Sequence, residues 1–401
     1  PIPVKVRVVL LGSPVIYYLL HAYDEDFGKI FKVKADFDVQ QERRDDSSTE
    51  YGRFIAKLCQ DEGLRHFDRT AAAAALDEIG RWVGHQKKLS LRFSDLADLV
   101  REASYWAGKE EKALVSARHV DRAVEEKIRR SNLLEEYLQE LISEGTLMVE
   151  VKGAVTGQVN GLSVYEMGDF AFGKPSRITA RTFLGEGGIV NIEREAKLSG
   201  KTHNKGVLIL SGYLGGRYAS ENPLSLSATL AFEQSYGEVD GDSASAAELA
   251  AILSSISDIP IKQEIAMTGS INQRGEIQAI GGVNEKIEGF FSVCKAFGLS
   301  GTQGVIIPRA NVKHLMLRDE VIKAVAGGKF HIYAVTHVDE ALEILTGTPA
   351  GALQPDGKFP AGSVNEAVMR HLDEMAEKMK AEDEAEDRRS PVSSSANGAH
   401  L

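Results

Sequence analysis

The chain changes its period at Gly145. From about Tyr51 to Lys127 the pattern is helical throughout, with Phe54, Leu58 and Cys59 on one apolar face and Leu96, Leu99 and Val100 on another. "RSNLLEEYLQELISEG" continues it, with Leu134, Leu138, Leu141 and Ile142 aligned and Gly145 as the expected C-cap. Beyond that glycine, "TLMVEVKG", "GQVNGLSVYEMG", "SRITARTFLGEGGIVNIE" and "KGVLILSG" read as strand-like segments punctuated by glycine. Helices return at 244–257, 283–297 and 311–324, with strands "IAMTGSI", "GVIIP" and "FHIYAV" between them. The pattern therefore predicts a helical unit followed by a mixed α/β unit.

The bulk numbers narrow the classes. A chain of 401 residues predicts two or three domains, and 43% hydrophobic residues suffice for a large core. A formal net charge of −11 argues against a nucleic-acid footprint over the whole chain, though not against a local basic patch. No apolar run approaches the roughly 18 residues that span a bilayer. Cys59 and Cys294 lie far apart without a partner motif, so no disulfide framework is expected and a reducing cytoplasm fits. "PIPVKVRVVLLGS" reads as a strand already under way, buried over residues 4–11. Together with the missing Met, that abrupt start favours a chain whose front part lies upstream. The far end, "EAVMRHLDEMAEKMKAEDEAEDRR" and a Ser-rich stretch, is expected to be a solvated, partly disordered tail.

Two motifs mislead. Gly200-Lys201-Thr202 looks like the end of a phosphate-binding loop, but the glycine required five residues earlier is Glu195, so a hairpin turn is expected. Ser292 and Lys295 match S-x-x-K without its companion elements and are read as surface positions on a helix. No H-E-x-x-H or paired C-x-x-C occurs, so no zinc site is expected.

"GEVDGDSASAAELAAILSSI" sets Ser243 at the corner before an alanine-rich helix. Structurally, Asp242 or Ser245 can cap that helix, and Ser245 with Glu248 fits a capping box. Chemically, Gly241 permits a sharp turn, the alanines at 244, 246 and 247 leave room, and a helix start presents N–H groups to a developing oxyanion. A serine nucleophile needs a base. "TGSINQRGEIQAIGGVNEKIEGFF" offers Lys286, one turn into a helix beginning near Val283 after Gly281-Gly282. A lysine serves as base only when neutral, which burial promotes. None of the ten histidines lies near Ser243 in sequence, and that alone leaves a Ser-His-Asp triad open.

"DGDSAS" followed by "MTGSINQRGEIQAIGGVNEKI" resembles the proteolytic domain of the Lon family of Ser-Lys peptidases, peptidase family S16. The likeness is to the branch with G-D-S-A-S around the nucleophile rather than K-D-G-P-S-A-G. It extends from about Gly157, where "GQVNGLSVYEMGDFAFGKPSRITA" resembles the family's opening strands, to Thr346. The resemblance implies that Ser243 is the nucleophile, Lys286 the general base and Thr268 a supporting threonine. Asp242 sits where this branch has an acid, and its role stays open. Residues 1 to about 128 resemble the tail of an AAA+ module, the last core strand and then a helical lid. Arg92 falls where the lid has a sensor arginine, with a surface salt bridge as the alternative.

The plan that follows is a mixed α+β chain: 1–44, the end of an AAA+ core-like region; 45–128, a helical lid-like domain; 129–150, a linker helix and strand; 151–348, a Lon proteolytic domain of the ribosomal protein S5 domain 2-like fold; 349–401, the charged tail. The resemblance implies a serine endopeptidase acting on unfolded or damaged proteins in a homo-hexameric ring; charge, hydropathy and cysteine usage add the expectations of a cytoplasmic chain with no membrane and no nucleic-acid partner. The peptidase chemistry needs no cofactor or metal. Walker A and B elements are absent from the sequence, so ATP and magnesium are expected to serve only the full-length protein. The rival is a non-catalytic Lon-like domain used for assembly or DNA processing.

Overall fold

The computed structural model describes residues 5–185, 187–219 and 225–389. Its front half is built from α1 (Ser47–Glu62), α2 (Arg69–Val83), α3 (Phe93–Lys109) and α4 (Ala117–Ser131). Each helix turns one stripe inward: Tyr51, Ile55 and Cys59 from α1, Ala71, Ala75 and Ile79 from α2, Leu96, Val100 and Ala103 from α3, Val120 and Ala123 from α4. These are the three- and four-residue steps of a single helix face.

After α5 (Leu133–Ser143) comes a seven-stranded sheet. Its strands are β1 (Gln158–Met167), β2 (Phe170–Leu184), β3 (Gly188–Asn191), β4 (Leu226–Phe232), β5 (Ile265–Met267), β6 (Gly304–Pro308) and β7 (His331–Val335), ordered β7-β6-β5-β1-β2-β4-β3. From β7 to β1 the strands run parallel; β2 is antiparallel to β1 and β4, and β3 runs with β4. The parallel half is covered on both faces. All of β6 is buried, with Ile306 in one core and Val305 and Ile307 in the other. That is why "GVIIP" has no polar alternation.

One face carries α6 (Lys201–Tyr218), α7 (Ser245–Ser257), α10 (Val338–Thr346) and α11 (Val364–Arg389), and the other carries α8 (Val283–Phe297) and α9 (Asp319–Ala326). Every residue of α7 except Ser255 is buried. No helix among the described residues is long and apolar enough to cross a membrane. The two halves meet through an ion pair: Arg81 of α2 grips the Glu288 carboxylate of α8 with two bonds of 2.7 and 2.6 Å.

Several sequence expectations are corrected. Residues 5–11 form no strand and are exposed, and no strand among the described residues pairs with them. "TLMVEVKG" forms no strand; Leu147 and Val149 lean on the α8 core instead. The segment expected at 311–324 is a 3-10 turn, Arg309–His314, followed by α9. "KGVLILSG" belongs to α6, whose buried residues His203, Gly206, Val207, Leu210 and Leu214 follow helical spacing, and Gly200-Lys201-Thr202 is that helix's start rather than a hairpin. The expected tail is instead packed through Ala376, beyond which no described residue is buried. Ala350 and Phe359 are buried, and α11 lays Val364, Val368, Leu372 and Ala376 inward at four-residue steps, with the His371 ring donating to the Ile256 carbonyl at 2.6 Å. Residues 390–401 lie outside the described residues. Leu372→Ala is therefore expected to cost about 2–5 kcal/mol of unfolding free energy in urea titrations. A loss near zero would remove α11 from the folded core.

Candidate active site

Three pieces of backbone meet at Ser243. The first is the loop into α7, where Gly241 has φ +89°, a conformation side chains rarely adopt. The second is the segment after β5. Gly269 N donates to Ser243 O at 2.8 Å, Ala246 N donates to Gly269 O at 3.0 Å, and Ile271 N donates to Ser245 Oγ at 3.0 Å. These bonds displace the expected capping box. Ala244 is the N-cap of α7 without a side-chain bond, and the Glu248 carboxylate is buried without a hydrogen-bond partner among the described residues.

The third piece is α8. A Cβ on Gly173 of β2 would stand 2.0 Å from the Glu285 carbonyl oxygen and 2.7 Å from Lys286 Cα, and one on Gly289 would stand 2.1 Å from the Gly173 carbonyl oxygen. Only a glycine against a glycine lets α8 cross β2 this closely. That contact sets the height at which Lys286 emerges. Its Nζ lies 2.8 Å from Ser243 Oγ and 3.2 Å from Thr268 Oγ1, and Thr268 donates to Ser243 O at 3.1 Å.

Lys286 is 3% exposed. Burial brings its ammonium down to about 8, against the pull of the Asp242 and Glu285 charges toward the protonated form. Asp242 makes no ion pair with it; its Oδ2 accepts from Ser270 Oγ at 2.8 Å. The structure thus brings Ser243, Lys286 and Thr268 together. Arg92 is elsewhere: exposed before α3, it lines a cleft whose lining includes neither Ser243 nor Lys286. Lys295 pairs with Glu320 at 2.6 Å on the surface. The decoy at Gly200 is closed by an acid of the chain itself: Asp240 Oδ1 accepts from the amides of Thr202 and His203. Sequence reasoning missed the Gly173–Gly289 contact, whose only mark was two glycines inside regular elements.

Three family models match the chain. The Lon protease (S16) C-terminal proteolytic domain covers residues 237–347, the archaeal LonB AAA+ ATPase LID domain covers 66–130, and the LonB-like AAA domain covers 1–38. A putative Lon protease homolog of Escherichia coli is 37% identical over 345 residues, 86% of this chain and 58% of the relative. One of Haemophilus influenzae is 38% identical over 284 residues, 70% of this chain and 47% of the relative. The archaeal Lon protease of Archaeoglobus fulgidus is 29% identical over 294 residues, 73% and 44% of the two chains. The chain spans about half the length of the curated relatives it matches.

Proposed function

Through its lid and proteolytic domains the chain belongs to the Lon protease family, and we propose that it is a serine endopeptidase with Ser243 as nucleophile and Lys286 as general base. The observation that carries this is the 2.8 Å approach of a buried lysine Nζ to a serine Oγ. Thr268 explains the orientation. Its hydroxyl proton is committed to Ser243 O, so its oxygen faces Lys286 as an acceptor. A neutral Lys286 then gives one N–H to Thr268 and turns its lone pair to the Ser243 hydroxyl.

As Ser243 Oγ attacks the peptide carbonyl carbon, its proton passes to Lys286. The tetrahedral intermediate collapses when Lys286 returns that proton to the leaving nitrogen, which departs as an amine and leaves an ester on Ser243. Water, deprotonated by Lys286, attacks the ester, and the proton returns to Ser243 Oγ with release of the acid. The oxyanion meets different amides from those expected. Ser245 N and Ala246 N are engaged by Asp242 O and Gly269 O, while the N–H groups of Ser243 and Ala244 have no acceptor among the described residues.

The rest of the proposal follows the family resemblance. Substrates are unfolded or damaged proteins of the cytoplasm, six copies enclose the sites in a ring, and ATP with magnesium acts through the nucleotide-binding part of the full-length protein. The peptidase step uses neither.

A fluorophosphonate probe tests the core of this. Mass spectrometry is expected to find the adduct on Ser243. An adduct on another serine of the active protease would overturn the assignment, and no labelling with no proteolysis would favour the non-catalytic assembly domain.

A further inference from the structure

The helix that carries the proposed base is held from behind by the helical half of the chain. In α8, Asn284 and Glu288 lie four residues apart and share a face, while Lys286, two residues from each, projects from the opposite one. Lys286 thus reaches Ser243 as Asn284 and Glu288 turn toward α2 and the segment 312–318.

Both of those residues are bonded. Asn284 Nδ2 donates to His314 O at 3.0 Å, and its Oδ1 accepts from Met316 N at 2.7 Å. Glu288 is engaged more heavily. Its Oε1 accepts from Arg81 Nη1 at 2.7 Å and from Arg318 N at 2.8 Å, and its Oε2 accepts from Arg81 Nη2 at 2.6 Å with Arg318 Nε 3.4 Å away. Arg81 Nη1 also donates to Met316 O. Beyond α2, Gln86 donates from its backbone to Lys313 O at 3.0 Å and from its side chain to Val312 O at 3.1 Å. The segment 312–316 is therefore bonded to the helical half on one side and to the first turn of α8 on the other.

The Arg81–Glu288 pair is sheltered, with side chains 19% and 10% exposed. A two-bond guanidinium–carboxylate pair fixes direction as well as distance. The other holds on α8 lack that property. Val283, Ile287 and Phe290 press it onto the sheet through apolar burial, which has no preferred direction. The Gly173–Gly289 crossing is backbone against backbone, with no side chain to stop a rotation.

We infer that Arg81 is a positioning residue for the general base: its two-pronged grip on Glu288 sets the rotation of α8 and so where Lys286 Nζ stands against Ser243 Oγ. The inference rests on the Ser243–Lys286 proposal. When the grip loosens, α8 turns, Nζ leaves hydrogen-bond reach of Oγ, and water gains access to Lys286. Water favours the ammonium, and the charges that face Lys286, Asp242 from the loop before α7 and Glu285 from its own helix, pull the same way. Arg81 also acts on Glu285 through its charge, so a test has to separate charge from geometry.

Arg81→Lys does so, because an ammonium keeps the charge without the fork that holds both carboxylate oxygens. With the full chain and a short fluorogenic peptide, Arg81→Lys is expected to lose on the order of 10-fold in kcat with KM unchanged, and its pH–rate midpoint to move above about 8. Glu288→Gln, which can still accept from Arg318 N, is expected to do the same. The double variant is expected to be no worse than either single one, since both remove one contact. Losses that multiply in the double variant, or a wild-type kcat in either single variant, would overturn the positioning role. So would a lower melting temperature with an unmoved midpoint, which is what a pair that only joins the two halves produces. If Glu288→Gln does not fold, the kcat and midpoint of Arg81→Lys decide alone. Ser243→Ala run alongside separates the two ideas. If it keeps the wild-type rate, the Ser–Lys proposal fails; if it is dead while Arg81→Lys runs at full rate, only the positioning role fails.

Discussion

Ser243→Ala is expected to lower the cleavage of an unstructured protein such as casein by on the order of 10⁶-fold, the loss seen when a serine nucleophile that works as a unit with its base is removed. The fold should not follow the activity down. Ser243 precedes α7, and apart from the bond between its hydroxyl and Lys286 Nζ it hands its neighbours only backbone: its carbonyl accepts from Gly269 N and Thr268 Oγ1, and alanine keeps that carbonyl. The measurement is an initial rate on casein beside a thermal melt. A variant that melts like the wild type and still digests casein at a comparable rate would move the nucleophile elsewhere.

Lys286→Arg is expected to cost on the order of 10⁴-fold, the upper range for losing a general base. Guanidinium keeps the charge and never releases its proton, so an ion-pairing role would survive the change and a basic role would not. The wild-type rate is expected to rise with pH through about 8, because below that value Lys286 holds its proton and offers no lone pair. The linkage to stability has a definite sign. Burial disfavours the ammonium in the folded chain, so the charge opposes folding below about 8, and the opposition fades as pH approaches 10.5, where the unfolded lysine also loses its proton. Lys286→Met should therefore be inactive yet melt above the wild type at pH 7, with the advantage shrinking at higher pH. A pH–rate profile on a fluorogenic peptide and paired melts check both. An arginine variant with most of its activity would return a histidine triad to consideration.

Two members of the proposed trio are marked locally: Ser243 stands between a glycine turn and an alanine helix, and Lys286 follows a glycine pair, whereas Thr268 is named only by the family resemblance. What failed did so for tertiary reasons. The run Val207–Leu210 has four apolar residues in succession, which suits a strand as well as a helix; the buried face of α6 that decides between them includes His203 and Gly206, which carry no hydrophobic signal. The capping box at Ser245 lost to Gly269 and Ile271, backbone partners more than twenty residues downstream. In α11 the inward residues Val364, Val368, Leu372 and Ala376 are thinly spaced among acids and lysines, so composition spoke for solvent while spacing spoke for a core. His203 and Glu248 could not be read at all, since their burial is decided by three separate segments.

The docking of α11 has a consequence in time. The residues that close the outer flank of α7 lie far beyond Lys286 in the chain, so a ribosome that has just completed the serine and the lysine has not yet made them. Until they emerge, the helix behind the nucleophile keeps an apolar flank in water, and the corner it supports stands on an unfinished core. Completion of the core behind the proposed nucleophile thus waits until the ribosome has passed the α11 segment, well after Ser243 and Lys286 have been made.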